Sequence, residues 1–121
     1  MADKKILICD DEPDMADFLM VALEAEGYQV ETAASSDAIV AKLKESAPDL
    51  ILLDMGMPGI NPDTPAMDVR NKTKTKAKIL IMTGRDLEHE KKGKGLSGAD
   101  GALQKGTGMD ELVGKVKEFL P

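Results

Sequence analysis

The chain has one cysteine, one histidine and no apolar run longer than six residues, and each scarcity removes a class of protein. Cys9 cannot close an internal disulfide, which fits a reducing compartment. It stands inside the apolar stretch Ile6-Leu7-Ile8-Cys9, so buried filler explains it better than a reactive thiol. No His/Cys set has zinc spacing, and His89 lies in a charged segment as a solvent-exposed residue. The longest apolar run, residues 18–23, falls far short of the ~20 residues of a membrane span. The N-terminus passes from Met-Ala-Asp-Lys-Lys straight into a strand, with no signal-peptide core. A soluble, cytoplasmic chain with no membrane partner is expected. Positive charge is also in short supply: 16 basic against 22 acidic side chains give a net charge of −6. Such a balance argues against direct nucleic-acid binding. The one local basic stretch, Lys72, Lys74, Lys76 and Lys78, alternates with Thr73, Thr75 and Ala77 and reads as a solvated helix end and loop.

What is present is an alternation of strands and helices without internal repeat. At 121 residues the chain suits one domain, 1–121, with a full core. Pro13 suits the first turn of a helix carrying Met15, Phe18, Leu19, Ala22 and Leu23 on one face, closed by Gly27. Residues 28–33 alternate as a second strand, and Ser36 is the candidate N-cap of a helix ending before Pro48. Pro58, Pro62 and Pro65 break the next stretch, leaving a short helix over 65–72. Residues 86–98 carry Gly93, Gly95 and Gly98, each costing a helix about 1 kcal/mol. The Glu88–Lys92 and Glu90–Lys94 pairs recover only ~0.3 kcal/mol apiece, so a fourth helix is marginal. Met109, Leu112, Val113, Val116, Phe119 and Leu120 give a well-formed last helix. The tally is (βα)5, an α/β chain with helices wound on both faces of a five-stranded parallel sheet.

The strand ends match one another. Ile6–Cys9 runs into Asp10 and Asp11, residues 50–53 into Asp54, residues 79–82 into Thr83, and residues 101–104 into Lys105. Ligands of open α/β sheets bind outside the carboxyl ends of such strands, which would collect three carboxylates, a hydroxyl and an ammonium at one edge. Like charges ~4 Å apart repel by roughly 1 kcal/mol in water and about 4 kcal/mol at an effective dielectric near 20. The cluster therefore needs a counter-charge, and Mg²⁺ suits it, taking one or two carboxylates plus waters and phosphate oxygens. Helix capping alone would account for Asp10, Asp11 and Glu12 but not for Asp54 and Lys105 at the same edge. A bare nucleotide or flavin phosphate would be repelled by so acidic a first loop, which has none of the glycines of a phosphate cradle. Nor does Asp54 stand in an Asp-x-Asp arrangement, since position 56 is Gly, which disfavours an aspartate-nucleophile phosphatase.

Asp10-Asp11, Asp54-Met-Gly-Met-Pro58, Thr83-Gly84 and Lys105, in this order and spacing, resemble a response-regulator receiver domain over essentially the whole chain. The resemblance implies the flavodoxin-like strand order 2-1-3-4-5. It implies that Asp54 accepts a phosphoryl group from a histidine kinase or phosphotransfer protein. Asp11, Asp54 and the Gly56 carbonyl would hold Mg²⁺, with Asp10 acting through a metal-bound water. Thr83 would hydrogen-bond one phosphoryl oxygen, Lys105 would ion-pair with another, and Gly84 would leave room beside them. Such a domain is no enzyme in the ordinary sense, catalysing only its own phosphorylation and dephosphorylation, and its effector is not named by the sequence.

Three departures from the family pattern stand out. Gly106 replaces the usual proline after the lysine, whose peptide bond is cis; a cis bond before Gly would cost ~2.5–4 kcal/mol. Ala102 replaces an aromatic that swings with the switch threonine, and the third and fourth helices are eroded. With Ala102 unable to swing, residues 86–98 become the expected moving part. The same departures leave a rival reading, a receiver-like scaffold that is never phosphorylated.

Overall fold

The computed structural model describes residues 4–121 except Arg85, and of Lys91 and Lys92 only the backbone. Ten elements alternate: β1 Lys5–Cys9, α1 Pro13–Ala25, β2 Gln29–Ala33, α2 Ser36–Glu45, β3 Leu50–Asp54, α3 Pro65–Thr73, β4 Lys78–Thr83, α4 Leu87–Lys92, β5 Gly101–Gln104 and α5 Met109–Phe119. The strands form one sheet in the order β2-β1-β3-β4-β5, every pair parallel. This is the doubly wound, flavodoxin-like fold the sequence leads one to expect.

Strand alternation sorts the core into two layers. Ile6, Ile8, Leu50, Leu52, Leu80 and Met82 pack against α1 and α5 through Leu19, Leu23, Leu112 and Val116. Leu7, Cys9, Ile51, Leu53, Ile79 and Ile81 pack on the other side against Ile39 of α2 and Ala66 and Val69 of α3. The central strands are buried on both faces, as their continuous apolar runs require. β5 differs: all four of its residues are only half-buried, because it lies at an edge of the sheet.

Local chemistry sets the helix ends, and two sequence readings are corrected. Ser35, not Ser36, caps α2: its Oγ accepts the Ala38 N–H at 3.2 Å, and Ser36 is the buried first helical residue. Phe18 does not join the core but stands 53% exposed, because α1 turns Leu19 and Leu23 to the sheet. Lys72 is an exposed helix end, as expected, but more than solvated: its ammonium also meets three oxygens of the fold. Pro13 opens α1 and Gly27, at φ +95, follows its C-cap. α3 extends one residue past the expected end, to Thr73. α4 has six residues and stops at Gly93, leaving Lys94 outside it, and the side chain of the expected Glu88–Lys92 pair lies outside the described set.

Candidate functional site: an acidic edge closed by a lysine

β1 and β3 lie side by side in the middle of the sheet, so the residues that follow them emerge together at its carboxyl edge. Asp10 leaves β1 with its N–H on the Ala33 carbonyl at 3.1 Å. Its Oδ1 accepts the Glu12 N–H at 3.0 Å, tying the carboxylate to the entry of α1. Asp54 ends β3 in register with Met82, and Met55 N–H continues the ladder to the Met82 carbonyl. Thr83 ends β4 and is buried, and its carbonyl accepts the Lys105 N–H, which aims the lysine stem from β5 towards the site.

The Lys105 ammonium lies 3.0 Å from Asp54 Oδ1 and 3.7 Å from Asp10 Oδ2. Asp10 is only 2% exposed and Asp54 7%, whereas Asp11 is open to solvent. Oxygens of Asp10, Asp11 and Asp54 all come within 4.8 Å of one another. Burial pushes the Asp10 carboxyl above its ordinary value, with the charges of Asp54 and Glu12 adding to it and the Glu12 N–H and Lys105 opposing. Burial draws the Lys105 ammonium down, but its hydrogen bond to Asp54 and the charges of Asp54, Asp10 and Glu12 outweigh that and leave it raised. One ammonium thus serves two buried carboxylates.

A hard cation fits this donor set. Asp10 Oδ2 is buried and accepts no hydrogen bond, and the surrounding donors are all oxygens, the ligand type Mg²⁺ demands. Gly56 follows Asp54 by two residues and its N–H turns back to Asp54 Oδ1 at 3.5 Å. A Cβ at Gly84 would meet nothing within 4 Å, so space stands open beside Thr83. Asp10, Asp11, Asp54, Thr83 and Lys105 are therefore drawn to one edge, as their positions in the sequence predict.

Two further features flank the site. No cis peptide occurs among the described residues, so the bond before Gly106 is trans, and Gly106 turns the loop at φ +91. That conformation is open to glycine at little cost. Beside Lys105, a cavity of ≈ 450 Å³ runs between α1 and α5, walled by Met15, Phe18, Leu19, Leu103, Met109 and Leu112. It arises where two helices meet, a relation that helical periodicity does not contain.

Comparison with known proteins agrees with this geometry. The family model for the response regulator receiver domain matches residues 6–117. The phosphate regulon transcriptional regulatory protein PhoB of Rhizobium meliloti is 32% identical over 117 residues, which cover 96% of this chain. The chain spans about half, 52%, of that relative's length. The response regulator TrrA of Thermotoga maritima, solved in complex with Mg²⁺ and BeF, is similar at a TM-score of 0.82 and 35% identity, covering 96% of this chain and 98% of its own. A response regulator of Chloroflexus aurantiacus gives 0.84 and 32%, covering 98% of both chains. The chemotaxis response regulator CheY4 of Vibrio cholerae gives 0.83 and 28%, covering 98% of this chain and 99% of its own. Motif order, sheet topology, site geometry and these matches converge: the chain belongs to the response regulator receiver domain family.

Proposed function

We propose that Asp54 is the phosphoacceptor of this two-component receiver and that residues 1–121 form one such domain. The observation that carries the assignment is the Lys105 ammonium 3.0 Å from Asp54 Oδ1, beside a buried Asp10 oxygen that accepts no hydrogen bond. The donor is a phosphohistidine on a histidine kinase or phosphotransfer protein. An Asp54 oxygen attacks phosphorus, the P–N bond breaks as the P–O bond forms, the imidazole keeps the electron pair, and an acyl phosphate results. Phosphoryl transfer spreads negative charge over the equatorial oxygens, so positioned cations and donors supply most of the catalysis.

Lys105 exchanges its contact with the Asp54 carboxylate for a phosphoryl oxygen, and the Thr83 hydroxyl donates to another. Asp11, Asp54 and the Gly56 carbonyl would hold Mg²⁺, with Asp10 acting through a bound water. When bound, the ion offsets charge on the carboxylates and the incoming phosphoryl group. Loss of the signal follows when water attacks phosphorus and Asp54 leaves as carboxylate, a step the domain performs on itself. The cytoplasm suits a phosphohistidine donor and the single thiol. Excess acidity argues against direct contact of this domain with nucleic acid. All three of Asp54, Thr83 and Lys105 stand at one edge, which favours this reading over an unphosphorylated scaffold.

Beryllofluoride, a phosphoryl mimic, tests it. In millimolar Mg²⁺, titration should shift the backbone NMR signals of Asp54, Thr83, Gly84 and Lys105 to saturation, and Asp54→Asn should abolish the shift. A wild-type spectrum unmoved by Mg²⁺ and beryllofluoride together would overturn the assignment.

A further inference from the structure

The loop that leaves β3, residues 55–61, carries Gly56, and it is gripped from two sides. From α2, the Ser36 N–H donates to the Pro58 carbonyl at 3.1 Å. From the last turn of α3, the Lys72 ammonium donates to the Gly59 carbonyl at 2.8 Å. The same ammonium donates to Ser36 Oγ at 3.0 Å and meets Asp68 Oδ2 at 3.1 Å. An ammonium has three protons and no acceptor, and Lys72 has one oxygen for each, from α2, the loop and its own helix. Asp68 in turn accepts the Asn61 N–H at 2.9 Å, fastening the far end of the loop.

The approach is close because position 59 has no side chain. Gly59 sits at φ +81, and a Cβ there would fall 2.8 Å from Ser36 Cβ. On the core side, Met57 and Ile60 are buried and remove remaining slack. A long side chain fixed by three contacts loses ~1.5–2 kcal/mol of rotamer freedom, which a merely solvated lysine would keep.

We infer that Lys72 is a positioning residue for phosphoryl uptake, closing an α2–loop–α3 clasp that fixes the Gly56 carbonyl relative to Asp54. The inference rests on the reading that Gly56 and Asp54 face a cation. The competing possibility is a staple that affects stability alone.

Hydrogen exchange of the metal-free protein, followed by Mg²⁺ titration calorimetry, separates the two. Lys72→Met keeps most of the stem and removes the donors. It should speed exchange at Gly56, Met57, Gly59 and Ile60 and weaken Mg²⁺ binding about tenfold, the lower end of what losing a ligand's support costs. Lys42→Met, which removes a surface partner of Glu31 in α2, should alter neither. Should Lys72→Met fail to fold, Ser36→Ala strips a single acceptor and should move both readouts the same way by less. A loosened loop with wild-type Mg²⁺ affinity would make the clasp structural only, and unchanged loop exchange would mean no clasp; either overturns the inference. Wild-type protein that binds no Mg²⁺ would overturn the cation reading itself, and the inference with it.

Discussion

Asp10 is the residue least at ease without a counter-ion. It is buried, one oxygen lacks a hydrogen bond, and Lys105 is shared with Asp54. Asp10→Asn should therefore stabilise the metal-free protein by about 1 kcal/mol or more, a few degrees in melting temperature. Its folded pKa is raised, so the native state holds that proton more tightly than the unfolded chain does. The metal-free wild type should lose stability as pH rises from the ordinary carboxyl value, 3.8, through the raised one, and level off above it. Melting curves of both proteins from about pH 4 to about pH 7 check this. The advantage of the Asn variant should grow across that window, and a constant gap would mean that Asp10 does not titrate there. Lys105 shows the complementary sign. Its raised pKa makes the ion pair's contribution present at neutral pH and lost only as pH climbs through the folded ammonium value.

Among the elements, those with a strong period were plain from sequence and those built by contact were not. The central strands and α5 follow from unbroken apolar runs and a 3.6-residue stripe. Ser35 and Ser36 are chemically equivalent as caps, and only the chain's path selects the first. Phe18 shares a helical face with Leu19, and the packing angle of α1 rather than hydrophobicity decides which is buried. Residues 86–98, expected to move and to hold only a marginal helix, divide in two. Residues 87–92 form the short α4, while Leu96 and Ala99 pack on the core and Gly98 is tied to α3 by Arg70. The Arg70 guanidinium donates to the carbonyls of Gly98 at 2.7 Å, Thr75 at 3.2 Å and Ala77 at 3.1 Å, and to Asp100 at 3.0 Å. Asp100 also accepts the Ile79 N–H at 2.9 Å, so the anchor reaches β4. Nothing in the spacing of Arg70, in α3, and Asp100, just before β5, announces this. Hydrogen exchange should show Gly93 and Lys94 fast and Ala99 and Asp100 slow in the free protein. Arg70→Met should speed Ala99 and Asp100 and cost about 1.5–3 kcal/mol, the range for a hydrogen bond to a charged group. Uniformly fast exchange from 93 to 100 in the wild type would contradict the anchor.

For the whole molecule, the parallel sheet is what turns scattered sequence motifs into a site. Parallel pairing in the order β2-β1-β3-β4-β5 puts every carboxyl end on one edge, with β1, β3 and β4 adjacent. Asp10, Asp54 and Thr83 follow from that order, and Lys105 is added by pairing of β5 with β4. The gathering of these residues at one edge was therefore readable from their positions, whereas the clasp at Lys72 and the cavity beside Lys105 depend on how helices meet. The helices bury the sheet on both faces, so the chemistry is confined to that edge and a phosphoryl donor has to approach it there. The most direct measurement is intact mass after incubation with Mg²⁺ and a small-molecule phosphoryl donor such as acetyl phosphate, comparing wild type with Asp54→Asn. The account predicts one added phosphoryl group on the wild type, dependent on Mg²⁺, and none on Asp54→Asn. Equal labelling of both proteins would place the acceptor elsewhere, and an unlabelled wild type would contradict phosphoryl acceptance itself.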